Sequence, residues 1–235
     1  MLGRIVAYNI EGYYIGTKPP IDDKAYLSTR AVVENNRVDK DNVDRESIIS
    51  DLMTQYLCTH RDLLLLAGVA YGEASTQNVY EEMAGIANVL VRQMKARRYS
   101  TISDFLTNVP TYAFAAADGN QRFAAFKARQ TQLVDMRDGN DGMRLAIKGA
   151  INAILEKTDY SNGAYFWDGS DVTTNFKYRK GIDYTSPSHD IYAGGDHAIN
   201  KPYQYTFETT AAWGGTVFSK YTSGFVSATG NSLHN

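Results

Sequence analysis

A single carboxylate closes the most apolar stretch of this 235-residue chain, and it is the residue best suited to acid–base chemistry. Glu73 follows Leu66, Val69 and Ala70 by seven, four and three residues. On a helix these positions share one face. A carboxyl group held against apolar side chains has its charged form disfavoured, so its pKa rises. A Glu that keeps its proton near neutral pH suits general acid catalysis. The alternative is that Glu73 lies at a helix end and reaches water.

The cysteine and the histidines suggest a different class of enzyme as a second hypothesis. Cys58 with His60 or His189 would make a cysteine–histidine amidase or peptidase. Cys58 ends an apolar helix pattern, which favours a buried structural position instead. As the only cysteine, it excludes an internal disulfide. The four histidines are scattered without metal-ligand spacing, so we predict no metal site and no cofactor.

Composition and charge are typical of a globular protein and argue against a membrane span and against nucleic acid as the main partner. Apolar residues make up 43% and charged residues 21%, a balance typical of globular proteins. No run of about 20 apolar residues predicts a membrane span. The net charge of −2 argues against nucleic acid as the main partner. Residues 92–148 carry 10 basic and 5 acidic side chains, net +5, which suits either an anionic polymer or a solvated helical face.

The pattern of elements predicts an α+β protein that is mainly α. Residues 1–45 are predicted to form a short β-rich or irregular lead, and residues 46–235 the main domain. Helices are predicted from near Arg45 to Leu57, from Arg61 to Ala74, from an Asn78 cap through Met94, from Thr101 to before Pro110, from Gln121 to Val134 and from Met143 to Leu155.

The last third of the chain changes character after Asp159. Gly, Ser, Thr, Tyr and Phe dominate, which is typical of strands and turns. Strands are predicted at Ala164–Trp167, at Tyr203–Thr210 and after the Gly214–Gly215 turn, followed by a weak tail over Ser227–Asn235.

Four segments, in order along the chain, resemble a known family. Tyr71-Gly72-Glu73-Ala74 is followed by an apolar helix ending in Leu90-Val91-Arg92, then by Tyr112-Ala113-Phe114, Gly163-Ala164-Tyr165-Phe166 and Gly215-Thr216-Val217-Phe218. Together these segments resemble the SleB-type cell-wall hydrolases, the spore-cortex-lytic family. Val217 stands where the family has a histidine. The resemblance covers about residues 60–220.

The resemblance implies a lysozyme-like helical body with β-hairpin additions, which cleaves the glycan strand of peptidoglycan. It makes Glu73 the general acid. A glycosidase commonly needs a second carboxylate, for which Asp118 and Asp168 are the candidates, although each also fits a turn. Without a second carboxylate the protein would be a lytic transglycosylase rather than a muramidase. In that mechanism Glu73 acts first as acid and then as base, and a hydroxyl of the sugar attacks.

Aromatic side chains near these segments are candidate sugar-binding platforms, because flat amphipathic rings suit sugar faces. The candidates for substrate binding are Tyr71, Tyr112, Phe114, Tyr165 and Trp167, with Trp213 as a further ring. Packing within the core or the sheet is the alternative for each of them.

The chain begins without a recognisable secretory signal, so we expect synthesis in the cytoplasm and action in the periplasm or cell wall after non-classical delivery. An antibacterial toxin delivered as a type VI secretion effector fits this expectation, and so does a phage-type lysin. A toxin of this kind implies a small immunity protein that covers the Glu73 cleft. The alternative to an enzyme is a non-catalytic glycan-binding or structural module of a phage or secretion particle.

Overall fold

The computed structural model describes residues 5–16, 23–39, 42–43, 53–132, 141–170, 188–189, 203 and 205–234. Within them the chain is α+β with helices dominant, as the sequence predicts. The helices are α1 (Arg30–Asn35), α2 (His60–Glu73), α3 (Tyr80–Ala96), α4 (Ile102–Asn108), a 3-10 turn (Pro110–Ala113), α5 (Phe114–Ala117), α6 (Gln121–Arg129), α7 (Gly142–Ile154) and α8 (Ser223–Thr229).

The described strands form three small sheets. They are β1 (Val6–Tyr8), β2 (Tyr14–Gly16), β3 (Ala25–Leu27), β4 (Arg37–Asp39), β5 (Asn42–Val43), β6 (Gln55–Cys58), β7 (Phe166–Gly169), β8 (Ser188–His189), β9 (Phe207–Trp213) and β10 (Thr216–Tyr221). The N-terminal sheet has the order β2-β1-β3-β6, and only its β1–β3 pair is parallel. The C-terminal sheet, β7-β10-β9-β8, is antiparallel, and β4 pairs with β5.

Helix α2 lies at the centre of the helical body. It contacts α3, α6 and α7, and its leucines, valine and alanines are almost all buried. A helix that is apolar nearly all round must be covered on several sides. Its start is fixed by Thr59, whose side chain accepts a hydrogen bond from the backbone N–H of Asp62 at 3.1 Å. The core therefore forms around the helix that carries Glu73.

The predicted helix from Arg45 to Leu57 is wrong over its last part. Residues 55–58 form strand β6, which pairs antiparallel with β3, while residues 44–52 lie outside the described part. The apolar spacing is helical, but strand β3 offers an edge of unpaired backbone groups. Tertiary pairing decides the conformation, as it often does for short apolar segments.

Two further expectations need correction. Asn78 does not cap α3, because it adopts a left-handed conformation with φ of 55° and its side chain accepts a hydrogen bond from Arg122 instead. The tail predicted over 227–235 begins within helix α8. Thr222 caps this helix, and Gly230 ends it in a left-handed conformation. The other predicted helices are found within a few residues of the expected bounds, apart from residues 133–134, which are not described.

Candidate active site

Glu73 is the last residue of α2, and its carboxyl is half-buried. Leu66, Val69 and Ala70, on the same face of the helix, are fully buried. The carboxyl oxygen Oε1 accepts a hydrogen bond from the backbone N–H of Ala115 at 2.7 Å. The indole N–H of Trp167 donates a second hydrogen bond to the same carboxyl group. The carboxyl is thus enclosed by α5 on one side and by β7 on the other.

The pKa of Glu73 is raised above its ordinary value, chiefly because burial disfavours the charged form. The two N–H donors lower the pKa, and the negative charge of Asp118 raises it. Burial outweighs the hydrogen bonds. The proton on Glu73 is therefore held more tightly than on a solvated Glu.

The segment that carries Ala115 packs closely on the end of α2 because Gly72 has no side chain. A Cβ at Gly72 would lie 3.0 Å from the Cβ atoms of both Ala115 and Phe123. Asn120 also connects this segment to the end of α2, because its Nδ2 donates to the carbonyl of Gly72 at 3.0 Å. Its Oδ1 accepts from the backbone N–H of Phe123 at 3.0 Å and so caps α6. Close approach at Gly72 allows the backbone of α5 to reach Glu73.

Trp167 is held in place by its strand and by Tyr112. Strand β7 pairs with β10, with Trp167 opposite Phe218. The rings of Trp167 and Tyr112 have centroids 5.6 Å apart. The Tyr112 hydroxyl donates to the carbonyl of Tyr165 at 3.2 Å and receives a hydrogen bond from Gln93, which is fully buried in α3. Trp167 therefore packs on Tyr112, whose hydroxyl is held by Gln93 of α3 and by the carbonyl of Tyr165.

The candidate platform residues are not equally placed. Phe114 is 63% exposed and directly precedes Ala115, whose backbone N–H donates to Glu73. Tyr112 is buried and supports Trp167 from within the fold. Tyr71 is also buried, under the guanidinium of Arg122, which lies 3.8 Å from the ring centroid. Among these candidates Trp167 interacts with Glu73 directly, and Phe114 belongs to the exposed segment whose next residue binds the Glu73 carboxyl.

Tyr165 faces another part of the surface. Its ring lies near Arg92, at 5.7 Å, and near the ring of His234. It lines a pocket of about 530 Å³ between the ends of α3 and α7, together with Lys95 and Asp159. Tyr165 contributes to the Glu73 site through its backbone carbonyl, which accepts from Tyr112.

The two candidate second carboxylates differ in their relation to Glu73. Asp118 is exposed, interacts electrostatically with Glu73 and accepts a hydrogen bond from the backbone N–H of Asn120 at 2.9 Å. Asp168 follows Trp167 on β7, and successive side chains of a strand point to opposite faces. Because Trp167 points to Glu73, Asp168 points away from it. Asp118 is the candidate that shares the site.

Sequence reasoning missed Glu82, a completely buried carboxylate in the first turn of α3. Its Oε1 accepts from the N–H of Ser75 at 3.1 Å, from the N–H of Gly215 at 2.9 Å and from the Thr216 hydroxyl at 2.8 Å. Its Oε2 accepts from the Ser75 hydroxyl at 2.7 Å. The sequence shows an acid in a first helical turn, where a carboxylate is expected to be solvated, so nothing local indicated burial.

The cysteine–histidine hypothesis gains no support from the geometry. Burial raises the pKa of the Cys58 thiol to about 12, so the thiol is protonated at neutral pH. Its Sγ donates to the carbonyl of Thr59 at 3.2 Å. His60 Nε2 instead lies 3.0 Å from the hydroxyl of Tyr8, and burial lowers the pKa of His60 to about 4. The side chain of His189 lies outside the described part.

Several cations of the basic middle third have local partners. Arg92 pairs with Asp159, Lys95 with Glu156, and Lys148 with Glu11 at 2.6 Å. Arg122 donates to the carbonyl of Tyr71 at 2.9 Å and to Asn78 at 2.7 Å. These cations are therefore paired with groups of the protein itself.

Among the residues that the structure describes, no group of three His, Cys, Asp or Glu side chains is arranged to hold a metal ion. Over the same residues, no helix combines the length and apolar character needed to cross a membrane.

No protein-family model matches the chain, and no curated protein or solved structure is significantly similar to it.

Proposed function

We propose that this protein cleaves the glycan strand of peptidoglycan, with Glu73 as general acid and then base. The observation that carries the proposal is the environment of the Glu73 carboxyl. It is half-buried at the end of an apolar helix, and burial raises its pKa. The substrate class comes from the resemblance of the segments around Glu73, Phe114 and Phe218 to the SleB-type hydrolases.

The surroundings of Glu73 suit both halves of such a reaction. Burial favours the protonated acid, which can deliver its proton to the leaving glycosidic oxygen. Once ionised, the carboxylate accepts the N–H bonds of Ala115 and Trp167, which stabilise the anion until it takes a proton back. A carboxyl group that acts first as acid and then as base needs burial to favour its neutral form and N–H donors to stabilise its anion.

The positions of the other carboxylates favour a lytic transglycosylase. Asp168 points away from Glu73, and Asp118 is exposed, with one oxygen accepting from the Asn120 backbone. A lytic transglycosylase needs only one carboxyl group, because a hydroxyl of the sugar attacks and gives an anhydro product. A muramidase with Asp118 as second carboxylate is the alternative.

The experiment is mass spectrometry of purified peptidoglycan after incubation with the wild type and with Glu73→Gln. We expect muropeptides that end in anhydro-muramic acid, and their loss in the variant. Glu81→Gln, the same change in the first turn of α3, is the matched control and should retain activity. An active Glu73→Gln protein would refute the assignment.

Other products separate the alternatives. Reducing-end sugars that disappear in Asp118→Asn would indicate a muramidase. Free stem peptides that disappear in Cys58→Ala would indicate an amidase. Peptidoglycan that is bound in a pull-down but left intact would indicate a glycan-binding module.

We further propose that the protein acts in the periplasm or cell wall, as an antibacterial effector or a phage-type lysin. Expression directed to the periplasm of a Gram-negative host should cause lysis, and the same chain kept in the cytoplasm should not. Glu73→Gln should abolish lysis in the periplasm. Lysis by the variant would show that toxicity does not depend on the Glu73 carboxyl.

A further inference from the structure

Glu82 connects two segments that are distant in the chain, one directly after Glu73 and the other at the start of the strand that pairs with Trp167. On one side it holds Ser75, which is two residues after Glu73. On the other side it holds Gly215 and Thr216, at the turn between β9 and β10. All four contacts are donated to its carboxyl group, so both oxygens act only as acceptors.

We propose that Glu82 is a positioning residue for Glu73, fixing the end of α2 against the hairpin that supports Trp167. This inference rests on the proposed function for the role of Glu73. The chain of contacts is short. Phe218 lies two residues after Thr216 and pairs with Trp167, which donates to Glu73. A shift at Glu82 is therefore passed from both sides to the contact between Glu73 and Trp167.

The turn between β9 and β10 is shaped around the Glu82 carboxyl. Gly214 has a φ of +55°, and a Cβ there would lie 2.4 Å from Oε2 of Glu82. A Cβ at Gly215 would lie 3.0 Å from the Cβ of Ser75. Two consecutive glycines thus allow the backbone to approach both Glu82 and Ser75. The two glycines therefore lie where Ser75 and the turn both donate hydrogen bonds to Glu82.

Two substitutions separate a positioning role from a general loss of stability. Glu82→Met keeps the length of the side chain but removes every acceptor. Glu82→Gln keeps an amide oxygen at the Oε1 position for Ser75, Gly215 and Thr216, and its amide N–H can donate to the Ser75 hydroxyl. We expect Glu82→Met to lower kcat for peptidoglycan cleavage on the order of 100-fold, the loss that a misplacement of about 1 Å can cause. Glu82→Gln should restore most of kcat, and KM should change little in both.

Asp62 supplies the matched control at the opposite end of α2. It is a buried carboxylate that accepts from Thr59 and, at 2.8 Å, from the backbone N–H of Ser103. Asp62→Leu removes a comparable set of acceptors far from Glu73. It should lower thermal stability and leave kcat of the folded protein close to that of the wild type.

Each outcome decides the proposal. A folded Glu82→Met protein with normal kcat overturns it, and so does an equal loss of kcat in Asp62→Leu. If Glu82→Met does not fold, Ser75→Ala and Thr216→Val replace it, and normal kcat in both overturns the proposal.

A second readout keeps this proposal separate from the proposed function. In a Trp213→Phe background Trp167 is the only tryptophan, and its emission reports its surroundings without any substrate. Glu82→Met should shift this emission to longer wavelength, and Asp62→Leu should not. If the wild type fails to cleave peptidoglycan but these shifts occur, the function is wrong and the positioning role stands. Unchanged emission overturns the positioning role.

Discussion

At the scale of single residues, two opposing effects set the pKa of Glu73. Removal from water favours the neutral acid, and the N–H groups of Ala115 and Trp167 favour the anion. Because burial prevails, the pKa of Glu73 is raised. A carboxyl group with a raised pKa and two N–H donors beside it is a candidate functional group, because perturbed pKa values cluster at functional sites.

Trp167 should report the ionisation of Glu73, since its indole N–H donates to that carboxyl. In the Trp213→Phe background we expect the fluorescence of Trp167 to change in a titration whose midpoint lies above about 4.3, the value for a solvated Glu. The transition should be missing in Glu73→Gln. A transition that persists in this variant would assign the signal to a group other than Glu73.

The raised pKa of Glu73 also makes a prediction about stability. The folded chain binds the Glu73 proton more tightly than the unfolded chain, whose pKa is about 4.3. Stability therefore falls as pH rises from about 4.3 through the folded pKa, and the loss persists at neutral pH. Glu73→Gln should be more stable than the wild type at neutral pH in thermal unfolding, and the difference should vanish below about pH 4. A variant that is less stable at neutral pH would contradict this reading.

At the scale of elements, the site depends on how closely α3 and β10 approach. Phe218 of β10 is fully buried against Gly85 of α3, where a Cβ would lie 2.6 Å from the tip of the ring. Glycine within a helix costs about 1 kcal/mol relative to alanine. The ring of Phe218 occupies the space that a side chain at Gly85 would need.

Gly85→Ala should lower the free energy of unfolding despite the better helix propensity of alanine. Overpacking a core typically costs about 1–3 kcal/mol, which exceeds the gain of about 1 kcal/mol from propensity. Urea denaturation measures the difference. Adding Phe218→Leu to Gly85→Ala should recover part of the loss, and a single variant as stable as the wild type would show that the ring has room to move.

At the scale of the whole molecule, one face of the N-terminal sheet joins the hydrophobic core of the helical body, while Ile5, Ala7 and Ile15 belong to a second, smaller cluster within the lead. Val6 and Tyr8 of β1 are buried in the same cluster as the residues of α2, α3 and α7. Gly12, with φ of +80°, lies against α7, where a Cβ would be 2.5 Å from the carbonyl oxygen of Arg144. A core shared in this way predicts that both parts unfold together.

Tyr8→Phe tests the junction between the lead and α2. It keeps the buried ring and removes the hydroxyl that faces His60 at 3.0 Å. Leaving a buried polar group without its partner costs about 1–3 kcal/mol. We expect a loss of this size in chemical denaturation, with a single cooperative transition by fluorescence and circular dichroism. Two separate transitions would show that the lead unfolds on its own.

Local patterns determined much of the architecture from the sequence alone. Helices α2, α3, α4 and α7 follow from apolar spacing and, for α4, from the cap at Thr101, because these signals act within a few residues of the chain. The apolar face that leads to Glu73 predicted the direction of its pKa shift in the same way, and its role as general acid stays a prediction. The lysozyme-like identity of the fold and the action on peptidoglycan remain predictions.

Only the tertiary structure decided what surrounds Glu73. Trp167 and Asp118 are brought to it, whereas Asp168 is turned away by strand alternation and Tyr71 is buried beneath Arg122. Strand β6 and the buried Glu82 likewise depend on partners far along the chain. Side-chain type and spacing set local conformation, but burial and hydrogen bonding depend on which distant segments meet. For this reason the raised pKa of Glu73 could be predicted from its neighbours in the sequence, whereas the groups around its carboxyl depend on the fold.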